Sequence, residues 1–270
     1  MNPEVTKANP SSDQFVQSLA RGLSVIRAFD SDHSSLTLSE VAARTGLARA
    51  VARRFLLTLE TLNYVRSNGR QYELTGLVLE LGYAYLSSQP LAQLASPFLA
   101  ELAAQTSEST SISTLDNTDI VYIARVQKRQ IMQFNISIGS RVPATTSSMG
   151  RVMLAALSES ELDRRLANYE IAQLTPRTIT SKDELKQELA SIAKKGWAMV
   201  DQELQIGVRS LAVPIHNNQR QVIASINLSW QLGLNDSKKV RDEQIADFLP
   251  QLQSTAAQLE HVSTKSGQIN

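Results

Sequence analysis

Residues 37–74, TLSEVAARTGLARAVARRFLLTLETLNYVRSNGRQYEL, change hydrophobic period twice in a short span, and few folds accommodate that. Leu38, Val41 and Ala42 recur at helical spacing, and Thr37 or Ser39 can cap the start, so a short helix is predicted. Gly46 closes it, because a left-handed glycine lets the chain reverse sharply into a following helix. That second helix is expected over about 48–62, with Val51, Phe55, Leu59 and Leu62 on one stripe. Arg49, Ala50, Arg53 and Arg54 occupy its N-terminal half, the arginines turned away from the stripe. Tyr64–Arg66 and Gln71–Leu74 then read as strands around Ser67-Asn68-Gly69-Arg70, where Asn-Gly is a strong hairpin signal. Helix, sharp turn, helix and hairpin in this order make a winged helix-turn-helix, whose second helix enters the DNA major groove.

Local charge agrees with that reading. The whole chain, with 27 basic and 26 acidic residues, is close to neutral and gives no general argument for a polyanionic partner. Residues 44–70, by contrast, hold six arginines and one acid, Glu60, a net charge of +5. Such a field supplies sequence-independent affinity for phosphates. Arg49, Arg53 and Arg54 are the candidates for guanine edges, while Arg66 and Arg70 suit phosphate or the minor groove.

A winged module accounts for only the first third of 270 residues, and a 42% hydrophobic content leaves room for a second core. Residues 1–14 are polar and expected to be disordered; 15–75 form the DNA-binding domain; 76–105 form linker helices broken at Gln89-Pro90, with a second bend at Pro97. A helix over 17–29 is expected to pack Leu19, Leu23, Ile26 and Phe29 under the recognition helix. The apolar excess around Leu77, Leu81 and Tyr85 suggests a face buried against a second copy of the chain. There is no cysteine, the three histidines show no metal-ligand spacing, and no long apolar run is present. Neither metal nor cofactor nor membrane span is expected, and a cytoplasmic location is.

From residue 106 to 262 the pattern is mixed. Strands are expected over 109–115, 120–126, 131–136, 198–201, 210–216 and 222–229, with helices over 148–157, 160–168, 182–195 and 238–262. This is an α+β arrangement, a sheet with helices on its outer face enclosing a small ligand, followed by a disordered tail at 263–270. Thr145, Thr146, Ser147 and Ser148 lead into a helix starting near Met149-Gly150, and free N–H groups at a helix start attract anions. A ligand carboxylate is expected there, with Gly150 the point of close approach and Arg141 or Arg151 a source of charge; the alternative is that Ser148 is only an N-cap and Thr145, Thr146 and Ser147 a loop. No G-x-S-x-G nucleophile elbow occurs and His216 sits beside a turn, so an enzyme is not indicated. An architectural DNA-binding protein whose second half only oligomerises is the other alternative.

The segments SLARGLSVIRAF, LSEVAARTGLARAVARRFLLTLETLNYV, GSRVPATTSSMGRVMLAAL, KKGWAMVDQELQIGVRSLAVPIHN and QVIASINLS together resemble the IclR family of bacterial transcription regulators over about residues 15–262. The resemblance implies a kinked linker helix joining the winged domain to a GAF-like effector-binding domain. GSRVPATTSSMGRVMLAALS with VDQELQIGVRSLAVP looks most like the Pca/Pob-type regulators of the β-ketoadipate route, which respond to aromatic acids and often activate transcription. It therefore implies an operator-binding activator, dimeric or a dimer of dimers, with protocatechuate as inducer; 4-hydroxybenzoate, a ring-cleavage acid, or repression are the alternatives. By the same resemblance, Asp201 or Glu203 would accept from phenolic hydroxyls, with Ser210, Asn227 and Ser229 on the same wall. Arg209 is open between ligand contact and bracing.

Overall fold

The computed structural model describes residues 15–30, 32–128, 136–233 and 236–265. The chain divides into two compact units between Tyr85 and Leu86. In the first lie α1 (Gln17–Ile26), β1 (Ser35–Thr37), α2 (Leu38–Thr45), α3 (Arg49–Thr61), β2 (Val65–Ser67) and β3 (Gln71–Leu74), with α4 (Val78–Ser87) running across the division. Helix α2 starts in a capping box: the Thr37 hydroxyl accepts from the Glu40 N–H, and the Glu40 carboxylate accepts from the Thr37 N–H at 2.7 Å. It stops at Gly46 in the left-handed conformation, φ 67°. Strands β2 and β3 pair antiparallel around the Asn68-Gly69 turn, and β1, absent from the sequence reading, adds to β3 as a third strand.

Two helices present different faces from those expected. On α1 the core side is Val25, continued by Ala28 and Phe29 beyond the helix end, whereas Leu19 and Leu23 are 64% and 46% exposed. On α3 the buried stripe is Ala52, Leu56 and Leu59 with Phe55 beside it, while Leu62 is exposed. Reading bulky residues as the core rotates the helix, because a buried alanine that allows close helix approach carries little apolar signal.

The second unit contains α5 (Pro90–Thr106), β4 (Ser109–Asp116), β5 (Asp119–Val126), β6 (Arg141–Pro143), a 3-10 turn (Ala144–Thr146), α6 (Ser148–Ala155), α7 (Glu159–Leu166), α8 (Lys182–Lys195), β7 (Ala198–Asp201), β8 (Val208–His216), β9 (Val222–Gln231) and α9 (Lys238–Lys265). The strands form one antiparallel sheet in the order β6-β5-β4-β9-β8-β7. Of the expected strand over 131–136, all but Ile136 lies outside the described residues, as do residues 1–14 and 266–270, where disorder was expected. Helix α9 continues to Lys265, past the expected start of the tail. Among the described residues no helix is long and apolar enough to cross a membrane.

Helices cover both faces of the sheet, not one. Leu91, Ala95, Leu99 and Leu102 of α5 and Phe248, Leu252, Ala256 and Leu259 of α9 pack on Ile112, Leu211, Val213, Ile215, Ala224, Ile226, Leu228 and Trp230. The second half of the expected linker is thus core, and only α4 keeps an exposed apolar surface, with Leu79, Leu81 and Tyr83 at 75%, 53% and 70%. The alternate residues of β4, β8 and β9 turn to the α6 side, and beside Ala212 and Pro214 they include the small polar Ser111, Ser113, Ser210, Ser225, Asn227 and Ser229. A sheet with one aliphatic and one hydroxyl-rich buried face places the candidate ligand site against α6.

Gly150 fixes how α6 meets that face. A Cβ there would lie 2.2 Å from the Ala144 carbonyl oxygen and 2.3 Å from its Cα, so the close approach glycine permits is to backbone, not to ligand. Gly150→Ala should destabilise the protein by about 3 kcal/mol or more, read as a fall in thermal midpoint. An unchanged midpoint would contradict this seating of α6.

Candidate functional site

The first unit exposes Arg49, Arg53 and Arg54 on α3 and Arg70 at the hairpin tip, none of them ion-paired among the described residues. Arg49 and Arg53, four residues apart, form one row with Ala50 exposed beside them. Arg54 instead lines a hollow between α3 and α1 with Ser18, Arg21, Val51, Phe55 and Thr58. Arg21 was not singled out in the sequence, since one arginine on an amphipathic helix carries no signal until the fold sets it beside another. Arg66 differs from the expectation. Its Nε and Nη2 donate to one Glu73 oxygen across the hairpin at 2.9 and 2.7 Å, which partly neutralises its charge. Arg44 is likewise paired, with Asp30.

In the second unit a cavity of about 50 Å³ lies between α6 and the polar face of the sheet. Of the expected ligand residues it gathers Thr146, Ser147, Ser148, Met149, Ser210, Asn227 and Ser229, and it adds Tyr122, Arg125, Ile136, Val200, Leu204 and Val208. Ser147, not Ser148, caps α6: its hydroxyl accepts from the Gly150 N–H at 3.0 Å. Ser148 is thereby free to point its hydroxyl at Ser210, 2.5 Å away, and Asn227 Nδ2 donates to Ser210 Oγ at 3.0 Å. Met149 Sδ accepts from the Ser113 hydroxyl at 3.2 Å.

The remaining expected contacts are committed elsewhere. Glu203 is bound by both Nη atoms of the buried Arg151 at 2.7 and 2.5 Å, and Arg151 Nε donates to the Thr145 carbonyl at 2.8 Å. Thr145 is buried without lining the cavity. Asp201 is held by Arg209 and Arg177; burial pushes its carboxyl up, but hydrogen bonds from Arg209 and Gln202 and the two positive charges hold it below the usual carboxylate range. Arg209 also grips Asp236 at 2.7 and 2.8 Å, which makes it a brace. Arg141 sits at the sheet edge, paired with Asp116 and Asp119.

Arg125 is the cation the cavity does possess. Its Nη1 donates to Ser111 Oγ at 3.0 Å, its guanidinium lies 5.9 Å from the Tyr122 ring centroid, and no acid pairs with it among the described residues. Burial holds this guanidinium below the usual arginine range and pushes the Tyr122 hydroxyl up to about 12. Strict alternation from Tyr122 would turn Arg125 to the opposite face. A bulge, in which Ser113 pairs Tyr122 while Ile112 pairs Ala124, inverts the parity and brings Arg125 in.

A larger hollow, of about 440 Å³, lies beside the part of β8 that runs past the end of β7. Its walls are mainly aliphatic, and its one carboxylate, Glu260, already accepts from the His216 N–H and meets the His216 ring. The smaller cavity has the chemistry of a ligand site.

Residues 83–261 match the family described as bacterial transcriptional regulator IclR C-terminal, and residues 18–69 the IclR helix-turn-helix domain. The chain is 40% identical over 248 residues to the Pca regulon regulatory protein of Pseudomonas putida, covering 92% of this chain and 84% of that one. A crystal structure of a transcriptional regulator from Rhodococcus sp. RHA1 is 46% identical with a TM-score of 0.77, covering 92% and 98% of the two chains. A double mutant of the inducer-binding domain of the PobR transcription factor from Acinetobacter, in complex with 3-hydroxybenzoic acid, is 30% identical with a TM-score of 0.56, covering 62% and 96%.

The Arg151–Glu203 pair yields a direct test of the cavity's framework. Arg151→Met should cost about 3–5 kcal/mol in urea unfolding by leaving a buried carboxylate alone, and adding Glu203→Leu should recover much of that loss. A single variant within about 0.5 kcal/mol of wild type would mean the pair is not buried.

Proposed function

The chain belongs to the IclR family of bacterial transcriptional regulators, and from that premise we propose that it is a ligand-responsive activator of aromatic-acid catabolism genes, with protocatechuate as its inducer. It is a regulator of transcription and not an enzyme. The observation that carries the ligand-responsive part is the buried hydroxyl-rich sheet face opposite α6. Three of its small polar side chains, Ser210, Asn227 and Ser229, line the cavity opposite Ser148, where they are poor packing material and suited to bonding a polar guest. Relatives named for the Pca regulon and for a hydroxybenzoate-bound inducer domain support an aromatic acid as that guest.

In the DNA-binding half, Arg49 and Arg53 read base edges from the major groove, and Arg54, Arg66 and Arg70 hold backbone or minor groove. The exposed face of α4 is where a second copy docks, so that two winged units address a symmetric or repeated operator, as a dimer or a dimer of dimers. Ligand in the cavity then shifts operator affinity through a coupling of about 1–3 kcal/mol.

Arg53→Ala should weaken binding to DNA flanking the protein's own gene by about tenfold or more and relax its sequence preference. Arg70→Ala should weaken binding alike for all sequences and lower the log–log salt slope by about 1. Gel-shift titrations across salt concentrations measure both, and operator affinity untouched in Arg53→Ala would remove α3 from the groove. Calorimetry of the purified chain with protocatechuate, 4-hydroxybenzoate, muconate and β-ketoadipate, with benzoate as control, tests the effector. Protocatechuate is expected to bind tightest, and absence of binding at millimolar concentrations of all five would end the sensor reading.

A further inference from the structure

We infer that Arg125 and Asn227 set the direction of the bound ligand: its carboxylate meets the Arg125 guanidinium, and a hydroxyl on the far side of its ring donates to Asn227 Oδ1. The assignment rests on the effector reading above and adds what the cavity selects. It also moves the anionic end of the ligand away from the start of α6, where the run of hydroxyl residues in the sequence would place it.

Two residues lining this cavity each hold a buried atom with no hydrogen-bond partner, Arg125 its Nε and Asn227 its Oδ1. One is a donor and the other an acceptor, so they call for opposite groups on the guest. Both belong to a single row across the sheet, because Arg125 pairs with Ser111 on β4 and Ser111 pairs with Asn227 on β9. Directly paired residues share a face, and two strand spacings separate their backbones by about 10 Å. The Arg125 side chain leans onto Ser111, on the strand between, so its guanidinium stands nearer to Asn227 than the backbones do, and a single ring with an acid and a hydroxyl on opposite sides is the scale of guest the two can hold. Met149 of α6 with Val200, Leu204 and Val208 supplies aliphatic cover for the ring.

The neighbours fix both orientations. Asn227 Nδ2 is used by Ser210 at 3.0 Å, and Ser210 is in turn bound to Ser148 at 2.5 Å, so the amide presents its oxygen. Asn227 is 3% exposed and cannot recruit bulk water freely. Arg125 spends Nη1 on Ser111 and retains its other donors. At the start of α6, by comparison, the Gly150 N–H is already taken by Ser147, and a helix end offers only about half a unit charge. A full guanidinium charge with no acid among the described residues outweighs it.

Because the glutamate and aspartate of the neighbouring loop are consumed by Arg151 and Arg209, the hydroxyl has Asn227 as its neutral acceptor. The site therefore selects molecules carrying one anionic and one hydroxyl end. Protocatechuate and 4-hydroxybenzoate both satisfy it; a dicarboxylate does not.

Calorimetric titration of the full chain with 4-hydroxybenzoate, 4-hydroxybenzamide, 4-methoxybenzoate and benzoate tests this. 4-Hydroxybenzamide lacks the charge, and 4-methoxybenzoate retains the oxygen but lacks the donor; each should bind about tenfold or more weakly than 4-hydroxybenzoate. In Arg125→Gln the preference for acid over amide should fall to within about twofold. An amide bound as tightly as the acid by wild type, an acid preference retained in Arg125→Gln, or a methoxy compound bound as well as the hydroxy one overturns the assignment while leaving the sensor reading in place. Failure of wild type to bind any of the four overturns both.

Discussion

The second unit is organised around the bidentate contact of Arg151 with Glu203. Arg151 stands one turn into α6 at 1% exposure, and its three donating nitrogens are all used, two on Glu203 and one on the Thr145 carbonyl. Glu203 also accepts from the Ile179 N–H at 3.0 Å, while its carbonyl and that of Gln202 accept from the Thr178 and Thr175 hydroxyls at 2.8 Å. A buried ion pair is tolerable only when the remaining donors and lone pairs are satisfied, and here the surrounding chain satisfies them. The consequence is geometric. The helix that presents Ser148 and Met149 and the loop that presents Leu204 are held to each other, so two walls of the cavity move together or not at all.

The same pairing sets the cavity's electrostatics. Asp201, Glu203 and Asp236 lie close by in the chain, and an unpaired carboxylate among them would repel an acid. Arg151 absorbs one, and Arg209 absorbs the other two. What remains among the polar residues lining the cavity is one guanidinium, a set of hydroxyls and the Asn227 amide. A low-dielectric chamber with a single uncompensated positive charge favours an anion over its neutral isostere by more than the same charge would in water.

Much of the first unit was legible because its signals are local. The Thr37-to-Glu40 capping box, the left-handed Gly46 and the Asn68-Gly69 turn each depend on a few consecutive residues. The reading failed where a long-range contact decided the matter. Ala52 is buried because helices meet there, and Gly150 is required because Ala144 passes 2.2 Å from where its Cβ would be. Of the residues lining the cavity, Thr146, Ser147 and Ser148 stood out as a run of hydroxyls before a helix start near Met149, and Ser210, Asn227 and Ser229 came from the family resemblance. Arg125 did not stand out, because its orientation depends on a bulge that no propensity announces. The acids were visible and misread for a similar reason: sequence shows a carboxylate, while only the fold shows which arginine occupies it.

The pairing of Arg44 with Asp30 and of Arg66 with Glu73 changes the balance of the DNA-binding half. The +5 over residues 44–70 overstates the field offered to a phosphate backbone, since two of the six arginines already have carboxylates. Four of the six, Arg49, Arg53, Arg54 and Arg70, are free of ion pairs among the described residues, and with two of them assigned to base edges few remain for phosphates. One unit with so few contacts holds DNA weakly at physiological salt. A second copy docked through Leu79, Leu81 and Tyr83 of α4 would make the second winged contact intramolecular and raise affinity by orders of magnitude without a new type of contact. On the proposed docking through α4, sparse charge on the winged unit and an apolar face on the helix after it would be two parts of one design, since a change in how two weak readers are placed would suffice to switch operator binding.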